Sequence, residues 1–428
     1  MTRPNFVNYH ILVSHNPSNL NRDDMNMQKT AIFGGVPRVR YSSQCLKRAM
    51  RFSDYYETHL GEPSIRTRNL EFLAKKLEET QQGKFASKWI RKAIEVMAER
   101  KLAAQMDDDK EDDEGDEPED KRTKKGKKTA VAPWSIAEMR IACEVVKAIY
   151  EAPFSDEEKA SLKKEIEGEK KRKASDKKPK RTDDEMLDAH QLPKIKAELE
   201  RRAQAMILAR AQTKDIALSG RMAASGLMPE VDGAMAVAHV ITTHEVEGSV
   251  DWFTAVDDLV GGDDRGAGHL DTREFSSGVF YRYASLNLKQ LQVNLGLIED
   301  IKSPEIAESR AAALDVARHL LHLLATVVPS GYQMSHAAFN PADFALVSFS
   351  DVPVSLANAF ESPVQANQGL LTPSINNLVD YWAAVNVAYG QMQAKAYSIR
   401  TKSRDLPKDL DVAPSLKKLE DWIAADGA

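Results

Sequence analysis

The chain has 428 residues, 42% of them hydrophobic and 29% charged, with a formal net charge of −5. That is apolar material for a sizeable core and length for two or three sub-structures. Two cysteines, Cys45 and Cys143, give no disulfide framework, no apolar run reaches the roughly 18 residues that span a bilayer, and the opening MTRPNFVNYHILVSH is too polar for a secretory core, so a reducing, cytoplasmic setting without a membrane is expected.

In chain order, FVNYHILV (Phe6–Val13) reads as a strand ending at the turn cluster SHNPSN. GGVP (Gly34–Pro37) is a turn signal. SSQCLKRAMR (Ser42–Arg51) reads as a helix capped by serine, with Leu46, Ala49 and Met50 on one face. Residues 69–101 have helical composition, and Pro133–Tyr150 reads as an amphipathic helix with proline in its first turn. Between them, residues 107–120 hold eleven acids and one lysine, and KRTKKGKK (121–128) follows with six cations. The segment 107–128 has too few apolar residues to bury, so it is expected to be flexible and to lie away from any polyanion. Ser155–Glu185 is a second charged run, readable as a solvated helix or a linker, and LPKIKAELERRAQAMILARAQ returns to helix.

After Gln212 the pattern changes. Asp215–Met228 is punctuated by glycine, and AMAVAHVITTHEV reads as helix or strand. Trp252–Phe275 has a Gly/Asp tip between apolar flanks, as in a long hairpin, and Ser276–Leu288 alternates like a strand. Ser309–Val328 is the clearest helix, Ala342–Asp351 a further strand, VSLANAFE the opening of another helix, and LKKLEDWIAADGA a terminal one. Strand, helical excursion, strands, helix, strand, helix is an α+β order. It suits a small, ferredoxin-like sheet with a helical insertion.

The sequence lacks Walker A, Rossmann, HExxH and CxxC patterns. His319 and His322 could form a two-histidine metal site, but their apolar helix favours satisfied boundary histidines. Asp23 and Asp24 could hold a divalent cation for strand cleavage; pairing with Arg22 or a turn contact is the plainer reading. The strongest signal is electrostatic. From Met25 to Ser53 the chain carries Lys29, Arg38, Arg40, Lys47, Arg48 and Arg51 and no carboxylate. Removing the −10 contribution of residues 107–120 leaves the rest of this acidic chain net basic. Phosphates want cations without competing acids. Lys47 and Arg51 stand at i, i+4 with Arg48 beside them, and Ser42, Ser43 and Gln44 add neutral donors at the helix N-terminus. A solvated basic face is the plainer alternative.

HILVSHNPSNLNRDDMNMQKTAIFGGVPRVRYSSQCLKRAMR resembles the N-terminal signature of the CasC backbone subunit of type I-E CRISPR Cascade complexes. The resemblance continues in DIALSGRMAASGLM, VDGAMAVAHVITTH, DWFTAVDDL, HLDTREFSSGVFYRYASLNL and AAFNPADFALVSFSDVPVSLANAFE, covering most of residues 1–60 and 213–365. It implies an RRM-like palm (1–60, 213–243 and 276–428), helical fingers (61–212, with charged insertions at about 104–130 and 155–185) and a β-hairpin thumb (244–275). It also implies head-to-tail copies along a CRISPR guide RNA, base pairing with a target DNA strand, and large, small, Cas-five-type and guide-processing subunits as partners.

By the same resemblance, Arg22, Lys29, Arg40, Ser42, Ser43, Gln44, Lys47, Arg48, Arg51, Ser219, Arg221 and Met222 contact RNA, with Met222 wedged at a kink. Trp252, Phe253, Thr254 and Leu270 belong to the thumb that packs at the gap in the duplex. It implies no catalytic residue, metal or cofactor; strand cutting would fall to a separate nuclease. Two alternatives stand beside it. One is a type III-like backbone that cleaves RNA through Asp23 and Asp24. The other is a stand-alone RRM-like binder stacking bases on Phe280, Tyr281 and Tyr283.

Overall fold

A computed structural model describes residues 3–81, 83–99, 131–171, 181–222, 227–255, 269–365, 369–390, 393–399 and 410–428. The chain divides into two compact units, one of residues 1–61, 234–293 and 297–428, the other of 62–233 and 294–296. The expected disorder of 107–128 falls outside the described residues.

Unit 1 opens with β1 (Phe6–Ser18), β2 (Thr30–Phe33), β3 (Val36–Tyr41), α1 (Ser43–Arg51) and α2 (Asp54–Leu60). Unit 2 supplies β4 (Ile65–Thr67), α3 (Leu70–Thr80), α4 (Ser87–Ala98), β5 (Ala132–Trp134), α5 (Ile136–Glu151), α6 (Asp156–Lys171), α7 (Asp183–Arg201), α8 (Ala203–Ala211) and α9 (Lys214–Ser219). The chain continues with β6 (Met235–Val237), β7 (Val240–Thr242), β8 (Ser249–Ala255), β9 (His269–Asn287), α10 (Leu288–Asn294), α11 (Ala307–Thr326) and α12 (Gln333–His336). It ends with β10 (Phe344–Ser350), α13 (Leu371–Tyr389), β11 (Gln393–Ser398), β12 (Asp411–Ala413) and α14 (Leu416–Ala424).

The sheet of unit 1 runs β12-β11-β10-β1-β9-β7-β3-β2, with β6 and β8 also paired to β9. Its centre, β10-β1-β9-β7, is antiparallel throughout. With α1 and α2 after β1 and α11 before β10, this is the ferredoxin-like strand order, so the α+β, RRM-like palm expected from sequence is what the chain forms. β1 is buried on both faces from Val7 to Val13 because both are covered. Tyr9 donates to the Ala317 carbonyl of α11 (2.9 Å) on one side. Leu12, Tyr281, Tyr283, Phe344 and Leu346 share a core with Leu356, Phe360, Ile375, Leu378 and Trp382 on the other. Phe280, on the opposite face against His15 and Tyr41, is 1% exposed, and Tyr281 and Tyr283 are buried in this second core at 2% and 9%, which removes the base-stacking surface of a stand-alone RRM. The helix responsible, α13, was not anticipated, and VSLANAFE forms only a 3-10 turn at Ala357–Phe360.

Two other boundaries differ from the sequence reading. SHNPSN does not end β1; the strand runs to Ser18 through a register shift between His15 and Ser18. Pro133 lies in β5, and α5 starts only at Ile136, after Ser135 caps the Glu138 amide (3.3 Å). The strand fits because Pro133 needs no amide donor there.

Arg38 fixes the β2–β3 hairpin from inside. It is fully buried and donates to the carbonyls of Phe33 (3.2 Å), Thr242 (3.2 Å) and Phe360 (2.9 Å). Gly34 turns the hairpin at φ +62, and a Cβ there would meet the Glu361 carbonyl oxygen at 1.6 Å, so only glycine fits. Arg38→Met should cost about 2 kcal/mol, since removing a buried cation offsets only part of the penalty for stranding these carbonyls. Urea unfolding at an unchanged midpoint would contradict this.

Unit 2 has its own core, in which Leu73, Leu77, Ile90, Ile94, Met139, Val146 and Ile195 are all buried. α6 buries none of its residues, so the solvated-helix reading holds for Asp156–Lys171. Residues 213–233, assigned to the palm from sequence, lie in unit 2. The reason is local: Asp215 accepts from the Ser64 amide (2.9 Å), the Ser64 hydroxyl (2.6 Å) and Arg66 (3.1 Å).

Candidate nucleic-acid interface

The acid-free run builds α1 and the hairpin before it. Ser42 caps α1 by accepting from the Cys45 amide (3.1 Å), and its own amide donates to Asn21 (2.9 Å). The Ser43 amide donates to His239 Nδ1 (3.1 Å), and its side chain is buried. The amides of Ser42, Ser43 and Cys45 are thus spent inside the protein. The serines act first as a cap and a core contact, while Gln44 is exposed.

The cations divide by burial. Leu46 and Met50 turn α1 inward, leaving Lys47 half-buried and Arg48 exposed. Arg51 is only 8% exposed, so the Lys47–Arg51 pair is not the open, two-cation face that i, i+4 spacing suggested. Lys29 is half-buried, and so is Arg40, which donates to the Thr30 carbonyl (3.0 Å). Arg38, as described, serves the fold alone. Arg22 is exposed; it donates to Asn26 (3.1 Å), and its guanidinium lies 4.2 Å from the Tyr332 ring centre.

Two aromatic partners went unnoticed in the sequence. Phe52, 59% exposed, sits 5.0 Å from the Arg48 guanidinium and 4.8 Å from that of Arg51. An aromatic directly after Arg51 in an acid-free run was the available signal. Tyr332 receives Arg22 and also Arg273 (4.8 Å), from segments hundreds of residues apart, and no local pattern announces that.

Asp23 accepts from the amides of Met25 and Met27, both at 2.9 Å, so its carboxylate closes its own turn. His319 Nδ1 meets the Tyr55 hydroxyl (2.8 Å), and His322 Nδ1 meets Glu420 (2.8 Å), as boundary histidines. Among the described residues no three His, Cys, Asp or Glu side chains are placed to hold a metal.

In unit 2, α9 ends at Gly220 (φ +79), and Arg221 pairs backbone-to-backbone with Val231 at 2.8 Å in both directions. Neighbours in extended backbone point opposite ways. Arg221 turns inward to Glu138 with two bonds of 2.6 and 3.0 Å, and Met222 turns outward at 80% exposure. Arg221 is therefore a buried ion-pair residue rather than a phosphate contact. Ser219 is half-buried.

The hairpin β8–β9 pairs from Ser249 opposite Phe275 to Ala255 opposite His269, with Thr254 directly across from Leu270. Trp252 is 66% exposed. The side chains of Phe253, Thr254 and Leu270 lie outside the described residues.

Residues 7–423 match the family model of CT1975-like proteins. Among solved structures, the chain is 25% identical, with a TM-score of 0.69, to a chain of a "CRISPR RNA-guided surveillance complex, pre-nicking", covering 99% of this chain and 100% of that one. A second chain, from a "CRISPR RNA-guided surveillance complex", is 20% identical with a TM-score of 0.50 over 98% and 99% of the two chains, a likeness of fold. No curated protein matches the sequence. Among the described residues no helix is long and apolar enough to cross a membrane.

Proposed function

The chain belongs to the CT1975-like protein family, and from that premise we propose that it is a guide-RNA-binding backbone subunit of a CRISPR surveillance complex of the type I-E Cascade kind. The observation that carries the reading is the end-to-end likeness, at 25% identity, to a chain of an RNA-guided surveillance complex. The acid-free, partly exposed cationic surface of α1 and the β2–β3 hairpin agrees with it.

In this reading Arg22, Lys29, Arg40, Gln44, Lys47 and Arg48 hold the phosphates of the guide, and Arg51 supports them from its packed position. Such contacts grip every sequence alike, leaving target choice to base pairing. Met222, presented on the far side of the bolted Arg221, wedges between bases; an unbranched apolar side chain adapts to any of them. The thumb residues Trp252, Phe253, Thr254 and Leu270 cover the interruption in the guide–target duplex. Copies of the chain associate head to tail along the guide with the other subunits of the complex; such contacts do not close on themselves, so they extend along a strand. The chain itself carries out no strand cleavage, and the turn role of Asp23 disfavours the type III-like alternative.

The test is RNA co-purification followed by titration. The protein should carry RNA of uniform length. Arg48→Ala should lower the slope of log affinity against log salt by roughly 0.7 and weaken single-strand binding without regard to sequence. An unaltered slope removes Arg48 from the groove, and protein free of RNA that also fails to bind a guide in vitro overturns the function.

A further inference from the structure

We propose that Phe52 is a stacking platform for an unpaired base of the bound RNA. This inference rests on the guide-binding reading above and deepens it. Exposure of one phenylalanine is ordinary by itself. Its company is not. Phe52 follows the last residue of α1, and its backbone is held there by its amide, which donates to the Arg48 carbonyl (3.2 Å). The guanidiniums of Arg48 and Arg51 approach it to 5.0 and 4.8 Å, close enough for cation–π attraction to hold the ring's orientation. Arg48, exposed and so placed, presents its N–H edge to a phosphate. Exposed cation, ring and packed cation thus form one unit at the end of the helix, within a stretch that holds no carboxylate from Met25 to Ser53.

That is the composition of a single-strand platform, in which cations follow the backbone and an aromatic face takes a base. Stacking suits a guide whose letters must go unread, because every base has a π-face. A protein partner seated here would have to bring a carboxylate to the exposed Arg48. The platform is separate from the buried sheet aromatics Tyr281 and Tyr283, which α13 covers.

The experiment titrates the full-length protein with a uridine oligonucleotide and with an abasic ribose-phosphate chain of equal length. Phe52→Leu keeps an apolar side chain and removes the π-face; it should weaken uridine binding about 5- to 100-fold and leave abasic binding unchanged. Phe52→Trp should restore uridine binding. Arg48→Ala should weaken both probes, since both carry the phosphates. If Phe52→Leu leaves uridine binding intact, or weakens both probes equally, while Arg48→Ala weakens both, the platform is wrong and the groove stands. If Arg48→Ala changes neither probe, the groove reading falls and the platform with it. If Phe52→Leu lowers self-association in sedimentation and leaves uridine affinity unmoved, the ring belongs to a protein interface and the platform is overturned.

Discussion

Glu138→Ala is expected to destabilise unit 2 by about 3–5 kcal/mol, the cost of breaking a buried ion pair by removing one partner. Glu138 is 2% exposed and receives Arg221 at 2.6 and 3.0 Å, and the buried Arg210 lies 3.7 Å away. Alanine would leave two guanidiniums in the interior without their carboxylate. Glu138→Gln keeps an acceptor for Arg221 and should cost less. Replacing both partners by methionine should cost least, because neither desolvated charge then remains. Urea unfolding followed by Trp134 fluorescence reads the effect, since Trp134 lies in the same core. A wild-type midpoint for Glu138→Ala would show that the pair contributes nothing. The functional corollary concerns Met222, whose outward pose depends on Arg221 being held inward. A weakened anchor should cost guide binding as well as stability.

Acidification should destabilise unit 1 well above the usual carboxylate range. Burial brings His10 down from 6.5 to about 3. Burial does the same to His15, also to about 3, with the nearby Arg282 cation adding to it. Both stay neutral in the folded chain while the unfolded chain takes up protons below pH 6.5. Their contribution is fully present above that value and is lost as pH falls toward 3. At pH 5 the loss is about 2 kcal/mol for each histidine, or about 4 together. His10 sits against the Tyr281 hydroxyl (2.9 Å) and stacks on Tyr283 (5.3 Å between ring centres), so an imidazolium there would lack water and any carboxylate partner. His10→Gln, which cannot titrate, should remove about 2 kcal/mol of the pH dependence between 6.5 and 5. A stability profile flat over that interval in the wild type would refute the assignment.

The candidate site was legible in outline because charge is a property of composition. Six cations and no acid between Met25 and Ser53 mark a surface that tolerates a polyanion, whatever the fold. α1, its Ser42 cap and the glycine turn at Gly34 were equally readable, since local hydrogen bonding and φ restrictions act over a few residues. Which cations face outward was not readable. Arg38 and Arg48 look alike in sequence, yet one is fully buried among carbonyls supplied by Thr242 and Phe360, and the other is exposed. The same holds for Arg221, whose partner Glu138 is 83 residues away.

By itself, then, the sequence determined the α+β class, individual elements such as β1, α1, α11, β10 and α14, and the cationic character of the amino-terminal surface, all of which follow from periodicity, caps and charge. Only the tertiary structure decided that α13 covers Tyr281 and Tyr283, that Arg38, Arg51 and Arg221 are drawn inward, and that Met222 and Phe52 are left outward. The physical reason is that burial depends on partners brought together by the fold, and a buried guanidinium is stable only where distant carbonyls or a carboxylate receive it.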